Sequence, residues 1–326
     1  GARCAKKKLR RWRVHDRVVG TLERLHCLKT FPLFSDLTST DLTALARYTR
    51  ERFFRKRAVL LRPGSEVDEV HFIVEGEVEM RQPDGSIVTA GPGEGVGMLG
   101  LIARLNEGVS AVARTETLTL AVNADTLVDI LEDHFRILRH LLRALCALSI
   151  DNRRKHGNAA LLEPARESMV PRAVTELDLA QRIFCLRATA PFARSRIASL
   201  ATLARQAKDV SFATGETLWS AGEPGTTALL IVSGSVKGAS EDASQSFRFE
   251  PGSYPGLMEA IARVPLWYSA VAETPVTALR IDAEDIIDVL EDSADTALEL
   301  MAVVAAQLIE TRKPIPGAPI SRKTIL

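Results

Sequence analysis

The stretch FIVEGEV (72–78) returns as LIVSGSV (230–236), 158 positions further along the chain. After a slip of one residue, the tetrapeptide SAVA at 110–113 returns unchanged at 269–272. A period of this length is much longer than the repeats that stack into solenoids. The 326 residues are therefore predicted to form two copies of one domain.

Each copy begins with helical periodicity, carried in the first copy by Val18, Leu22, Leu25 and Leu28. Short β-type segments follow, separated by turn formers; they lie at 59–61, 70–74, 78–81 and 87–90. Strands at this spacing indicate an antiparallel roll. The predicted fold class is α+β, with two duplicated β-roll (jelly-roll-like) domains, each flanked by N-terminal helices and a long C-terminal helix.

The predicted C-terminal helix of the first copy carries apolar residues in alternating steps of three and four. The seam consists of Val128, Leu131, Phe135, Leu138, Leu142 and Leu145. Such a seam docks on its own roll or pairs with another long helix, between the domains or across a dimer. The second possibility makes the seam a candidate surface for a protein partner or for self-association.

Charge and composition divide the chain further. Residues 1–17 carry eight basic residues against one acidic residue, although the whole chain has a net charge of only +1. This basic arm is a candidate contact for anionic lipid, nucleic acid or an acidic protein. The predicted divisions are the arm (1–17), a first domain (18–150), a linker (151–175), a second domain (176–312) and a Pro-containing tail (313–326).

The order of helices, roll, glycine-rich insert and exit helix resembles the cyclic nucleotide-binding domain family, which includes regulatory subunits of cAMP-dependent protein kinase and proteins like the catabolite activator protein. The resemblance rests on PLFSDL (32–37), RPGSEVDEVHFIVEGEVEM (62–80) and LAVNADTLVDIL (120–131), repeated as AGEPGTTALLIVSGSV (221–236) and LRIDAEDIIDVL (279–290). In that family a cassette of the form F-G-E-L-A-L, a spacer and P-R-A-A-T/S holds the ligand. Its Glu accepts a hydrogen bond from the ribose, its Arg binds the cyclic phosphate, and backbone N–H groups add donors.

Both copies depart from this cassette at its two anchors. In the first copy the Glu position is Met98, and the Arg position is Glu107, or Gly108 if the spacer is one residue longer. Gly97, Leu99, Gly100 and Ser110 keep the surrounding pattern. In the second copy Gly256, Met258 and Ser269 keep it. There, Leu257 and Leu266 replace the anchors, and Trp267 and Tyr268 stand where small residues are usual.

The missing anchors predict that neither copy binds cAMP or cGMP at micromolar concentration. Their loss removes roughly 4–6 kcal/mol, which is a thousandfold or more in affinity. Two spacer arginines, Arg104 and Arg263, occupy the same place in both copies. They either swing inward to replace the phosphate arginine or form surface salt bridges.

Other classes of function find little support. No catalytic motif is present, the six histidines and four cysteines show no metal-ligand spacing, and no helix-turn-helix follows either exit helix. No cofactor, metal or enzyme activity is expected, and a cytoplasmic location is expected because no apolar run is long enough to span a membrane. Three interpretations stay open: a protein-interaction module, a sensor of a nucleoside, modified nucleotide or lipid-like ligand, and a cytoplasmic regulatory region of a larger membrane or enzymatic protein.

Overall fold

The computed structural model describes residues 20–82, 85–104, 109–156, 177–242 and 244–311. It confirms the predicted fold class, since each copy forms an antiparallel roll between helices. The basic arm, most of the predicted linker and the tail lie outside the described residues, as does Glu107.

The first domain begins with two helices, α1 (Thr21–Leu28) and α2 (Ser39–Tyr48). Thr38 caps α2, because its hydroxyl accepts a hydrogen bond from the Asp41 N–H at 3.3 Å while the Asp41 carboxylate accepts from the Thr38 N–H. Arg24 donates to the Thr49 carbonyl at the far end of α2, at 2.5 Å. In the second copy Arg182 donates to Ala207 in the same way. The repeated arginine therefore ties the two N-terminal helices together in both domains.

Eight strands form the first roll as two four-stranded antiparallel sheets, in the orders β1-β8-β3-β6 and β2-β7-β4-β5. Their bounds are β1 (Arg50–Phe54), β2 (Val59–Leu61), β3 (Glu69–Glu75), β4 (Val78–Arg81), β5 (Ile87–Ala90), β6 (Gly95–Val96), β7 (Ser110–Ala113) and β8 (Thr117–Asn123). A short helix, α3 (Met98–Ala103), connects β6 to the following strands. The four predicted strand segments are confirmed as β2 to β5.

The second domain repeats the plan after helices α6 (Leu179–Arg187) and α7 (Ile197–Gln206). Its sheets have the orders β11-β15-β9 and β10-β14-β12-β13. The strands are β9 (Lys208–Phe212), β10 (Thr217–Trp219), β11 (Thr227–Ser233), β12 (Val236–Ser240), β13 (Ser246–Phe249), β14 (Tyr268–Ala272) and β15 (Val276–Asp282). Helix α8 (Leu257–Ala262) is the counterpart of α3.

The exit segment of each domain is divided into two helices. In the first domain α4 (Ala124–Asp133) and α5 (Phe135–His156) meet at His134, whose backbone leaves the helical region at φ −124°, ψ 75°. In the second, α9 (Ala283–Asp292) and α10 (Ala294–Thr311) meet at Ser293, with φ −145° and ψ 88°. The predicted seam is therefore interrupted between Leu131 and Phe135 instead of following one straight helix.

The long helices pair between the domains. Helix α5 of the first domain packs against α10 and α8 of the second, while α10 packs against α3 of the first. Buried side chains of both domains belong to one continuous apolar cluster. Each domain thus covers the short glycine-capped helix of the other with its own exit helix.

This pairing corrects the prediction that the seam offers a surface for a partner or for self-association. Leu131, Leu138 and Leu142 are fully buried within the chain, and only Val128, Phe135 and Leu145 keep partial exposure. The contact between the domains already uses the apolar face, because burying it there removes the same area from water that a partner would cover.

The first residues of the predicted linker (151–175) are helical. Helix α5 continues through residues 151–156, and Arg153 within that turn is buried. It follows Ile150 by three residues and Cys146 by seven, which keeps it on the buried face of the helix.

Candidate functional site

The first cassette begins at Gly97, which has the left-handed φ of +94° and caps α3. A Cβ at this position would lie 3.1 Å from Val67 Cγ1 and 3.2 Å from the Glu69 carbonyl oxygen, so glycine is required both for conformation and for space. The helix that follows is only half-buried from Met98 to Ile102, including Leu99 and Gly100. Ser110, at the start of β7, is half-buried as well.

The second cassette has the same backbone but a closed surface. Gly256 caps α8 at φ +82°, and a Cβ there would come within 2.7 Å of the Thr227 carbonyl oxygen. In contrast to α3, the residues from Leu257 to Ile261 are all buried, Met258 among them. The two cassettes therefore share their geometry and differ in what covers them.

Tyr268 occupies the helix start of the second cassette. The Gly256 N–H donates to the Tyr268 phenol oxygen at 3.0 Å, and the side chain is buried. Free N–H groups at the first turn of a helix are the donors that bind anions. Here one such donor is satisfied by the protein itself. Ser269, beside Tyr268, accepts a hydrogen bond from the Ala221 N–H at 2.9 Å, so its hydroxyl is also engaged internally.

An aromatic cluster fills the roll around this tyrosine. It consists of Trp219, Phe247, Phe249, Trp267 and Tyr268, whose ring centroids lie 5.1–5.7 Å apart in the pairs that touch. Trp219 Nε1 also donates to the Tyr268 carbonyl oxygen at 3.1 Å. Gly238 makes room for the cluster, because a Cβ there would lie 2.2 Å from the Phe247 ring. Leu266, at the family's arginine position, is buried beside the cluster.

The first domain has none of these rings. The strand register shows which residues correspond. Trp219 lies opposite Ala270 in the second roll, and Leu61 lies opposite Ala111 in the first. In the same way, Phe247 lies opposite Gly238, and Val88 lies opposite Met80. By the same correspondence, small or aliphatic residues replace all five aromatic residues; they are Leu61, Val88, Ala90, Gly108 and Val109. Several apolar residues of the first roll and its cassette pack against the core but are only partly buried: Leu60, Val74, Val88, Met98, Leu101 and Val109.

A buried carboxyl group lies in α8. Glu259 is buried, and burial raises its pKa, while the charge of Arg153 and a hydrogen bond from Trp267 act in the opposite direction. Arg153 comes from α5 of the other domain and donates through Nη2 to Gln307 Oε1 of α10 at 3.1 Å. Burial lowers the pKa of Arg153, and the charge of Glu259 raises it. Sequence reasoning missed this pair, although the helical spacing of Arg153 from Cys146 and Ile150 was a signal for it.

Both spacer arginines form ion pairs at the surface. Arg104 and Arg263 follow the last turns of α3 and α8 in the left-handed region, at φ +53° and +56°. They therefore lie at the opposite end of each helix from its glycine cap, about 9 Å away along a six-residue helix. Arg104 pairs with Glu299 of α10 at 2.7 Å and Arg263 with Glu284 of α9 at 2.6 Å, and both side chains are more than half exposed. Both arginines are therefore engaged with carboxylates at the protein surface.

Other reactive side chains are isolated. Among the described residues, no group of three His, Cys, Asp or Glu side chains could hold a metal ion. Burial raises the pKa of the Cys27 and Cys185 thiols to about 11 and that of Cys146 further, so all three are poor nucleophiles. Within the same described part of the chain, no helix is both long enough and apolar enough to cross a bilayer.

Similar solved structures include proteins that bind different small molecules. The regulatory domain of Toxoplasma gondii PKA with cAMP is 15% identical, over 90% of this chain and 100% of that one, with a TM-score of 0.34. A regulatory subunit of a cAMP-independent protein kinase A from Trypanosoma cruzi, bound to guanosine, is 18% identical, over 86% and 91%, with a TM-score of 0.32. The N-terminal domain of a Streptomyces coelicolor A3(2) transcriptional regulator is 26% identical, over 39% and 94%, with a TM-score of 0.35.

No curated protein sequence matches the chain. The model of the cyclic nucleotide-binding domain matches residues 51–134 and again residues 209–293, together just over half of the chain. Each match begins within the first strand of a roll and ends at its exit helices. The chain belongs to the cyclic nucleotide-binding domain family and carries two copies of that domain in tandem.

Proposed function

We propose that the chain is a non-catalytic regulatory module whose two domains do not bind cAMP or cGMP and which acts through contact with another protein. The observation that carries this proposal is the hydrogen bond from the Gly256 N–H to the Tyr268 phenol oxygen. A ligand phosphate at that helix start would have to displace a buried aromatic side chain and break its hydrogen bond. Losing the packing of a buried aromatic side chain costs about 3–5 kcal/mol, so the site is closed to a weak ligand.

The first domain loses cyclic nucleotides for a different reason. Its cassette is half-exposed, but Met98 offers the ribose no acceptor, and Glu107 brings a negative charge to the family's arginine position. Each missing charge-assisted hydrogen bond removes roughly 1.5–3 kcal/mol. Both domains therefore lack the anchors for the same ligand, and the second is in addition filled by its own side chains.

Restoring the anchors tests both routes in one experiment. Met98→Glu combined with Glu107→Arg rebuilds the first cassette, and we expect it to bind cAMP at micromolar concentration, while the unmodified chain does not. The matched variant, Leu257→Glu with Leu266→Arg, rebuilds the same anchors in the second domain. We expect it to stay inactive because Tyr268 still fills the helix start. Binding of cAMP by the unmodified chain would refute the proposal, and binding by the second variant would refute the closure of the second cassette.

A second candidate function is favoured by the partial burial of apolar residues in the first roll. The partly buried apolar side chains around Met98 and Val109 suit an uncharged ligand, such as a nucleoside or a lipid-like molecule. A thermal-shift series with adenosine, guanosine and a fatty acid tests this function. The variant Val109→Tyr copies the tyrosine of the second domain and should abolish any shift that arises in the first roll. A shift that persists in Val109→Tyr would place the ligand elsewhere and reject the candidate.

A further inference from the structure

A cleft on the first domain carries three arginines that form no ion pair with a carboxylate of the described residues. It has a volume of about 510 Å³ and lies between α5, the turn that precedes α2, and the end of α8 of the second domain. Arg136, Arg139 and Arg143 line it from α5, at spacings of three and four residues that put them on one helix face. We call it the arginine cleft.

The equivalent place in the second domain carries ion pairs at the surface. There, Arg196 pairs with Asp295 at 2.7 Å, and Glu299 pairs with Arg104 at 2.7 Å and Arg194 at 3.6 Å. These side chains come from the turn before α7, from α10 and from the end of α3, which are the same elements as in the arginine cleft with the domains exchanged. The second copy therefore shows what an internally neutralised version of this place looks like.

The repeat correspondence reverses the charges on the long helix. Arg136 stands where the second copy has Asp295, and His140 stands where it has Glu299. Because His140 cannot take the role of Glu299, Arg263, the counterpart of Arg104, pairs with Glu284 of α9 instead. His140 uses its Nε2 on the Leu33 carbonyl oxygen at 2.8 Å.

The acids that line the arginine cleft are already engaged elsewhere. Asp41 accepts hydrogen bonds from Thr38 in the cap of α2, and Asp36 accepts one from Ser35. Within the described ranges, Arg136, Arg139 and Arg143 form no ion pair with any carboxylate. Arg139 lies over the Phe135 ring, with 5.8 Å from its guanidinium carbon to the ring centroid.

Arg143 gives the clearest sign of a missing ligand. Its Nε and Nη2 atoms are buried and have no hydrogen-bond partner in the described part of the chain. Burial lowers the pKa of Arg143, and the nearby charges of Arg263 and Arg139 lower it further, while the charge of Glu284 raises it. Buried donors without partners are unfavourable, and like charges in one cleft add to that cost. A bound anion would offset the repulsion between the like charges.

We propose that the arginine cleft binds a small organic anion that carries more than one phosphoryl oxygen group, such as a diphosphate ester. Arg139 and Arg143 are four residues apart, about 6 Å along the helix axis, which suits two adjacent anionic groups. Guanidinium groups bind phosphate through paired hydrogen bonds. The walls formed by Pro32, Leu37, Ala144 and Ala262 offer apolar surface for the organic part of such a ligand. This site is separate from both rolls and does not depend on whether they bind a ligand.

Calorimetric titration of the whole chain with inorganic pyrophosphate at fixed ionic strength tests the site, with citrate as a carboxylate of similar charge. We expect one saturable pyrophosphate site. Replacing Arg143 by Gln should weaken it at least about tenfold, the loss of one charged hydrogen bond. Arg139→Gln provides a second variant if Arg143→Gln does not fold. The matched control is Arg196→Gln in the ion-paired counterpart, which should leave the affinity unchanged.

Three results would overturn the proposal. The first is the absence of pyrophosphate binding to the unmodified chain. The second is pyrophosphate binding by both the Arg143→Gln and the Arg139→Gln variant that is as tight as binding by the unmodified chain, which would place the anion elsewhere. The third is binding of citrate without binding of pyrophosphate, which would reject the phosphoryl class. None of these results depends on cAMP, so the proposal fails independently of the function proposed for the rolls.

Discussion

Replacing Tyr268 by Phe removes a single oxygen atom and tests whether the second cassette is held closed by its own tyrosine. The ring stays in the aromatic cluster, but the Gly256 N–H loses the phenol oxygen to which it donates at 3.0 Å. Gly256 is buried, so water does not replace the lost acceptor without rearrangement. An unsatisfied buried donor costs about 1–3 kcal/mol, and we expect a loss of about 2 kcal/mol in the free energy of unfolding.

A second buried tyrosine supplies the matched control. The Tyr254 hydroxyl lies 2.8 Å from Thr189 Oγ1, and Thr189 donates its own proton to the Leu186 carbonyl at 2.6 Å. Tyr254→Phe therefore removes a donor and leaves no backbone N–H without an acceptor. We expect a loss of about 1 kcal/mol, roughly half that of Tyr268→Phe.

Urea unfolding followed by tryptophan fluorescence measures both losses, because Trp219 and Trp267 lie in the aromatic cluster. Amide hydrogen exchange adds a local measurement: the Gly256 N–H should lose protection in Tyr268→Phe and keep it in Tyr254→Phe. Equal stability losses, together with unchanged exchange at Gly256, would refute the claim that Tyr268 occupies the helix start.

Three further changes test other contacts. Burial lowers the pKa of His71 to about 4, so between about pH 6.5 and pH 4 the unfolded chain binds a proton at this residue and the folded chain does not. The free energy of unfolding should therefore be about 2 kcal/mol lower at pH 5 than at pH 7.5. Urea unfolding should show this dependence in the unmodified chain and not in His71→Leu. Arg153→Met leaves Glu259 buried without its compensating charge and should cost about 2–3 kcal/mol, and adding Glu259→Gln should recover part of that loss; no recovery would show that the two groups are not coupled. Gly238→Ala should cost about 1–3 kcal/mol because the added methyl group meets a ring at 2.2 Å, whereas Gly95→Ala, with its nearest neighbour at 3.7 Å, should be close to neutral in thermal melts; equal melting temperatures would contradict the packing.

The duplication made the fold predictable from the sequence, because each copy repeats the same alternation of apolar segments and turn residues. Strand β1 was missed since RERFF is mostly charged and carries no period-two pattern. Two features of the second domain also had sequence signals. The five residues of its aromatic cluster correspond to small or aliphatic residues in the first copy. In its ion-paired surface, Asp295 and Glu299 correspond to Arg136 and His140.

The contact between the domains was not predictable. An apolar seam predicts that a helix face will be buried. It does not predict whether the seam on α5 packs against its own roll, another helix or a second molecule. Which of these wins depends on the combined shapes of α3, α8 and α10, and these are set by both domains together. The buried position of Arg153 follows from the same contact. A charged residue in a polar stretch reads as solvent-exposed until the partner surface is known.

Calorimetric titration of the unmodified chain with cAMP, carried out at two temperatures, tests the central claim most directly. We propose that both domains have lost the anchors that hold the cyclic phosphate and the ribose, and that the aromatic cluster of the second also closes it to the ligand. The predicted result is no saturable heat at micromolar nucleotide at either temperature. A saturable isotherm with a micromolar or lower dissociation constant would contradict the account for at least one of the two domains.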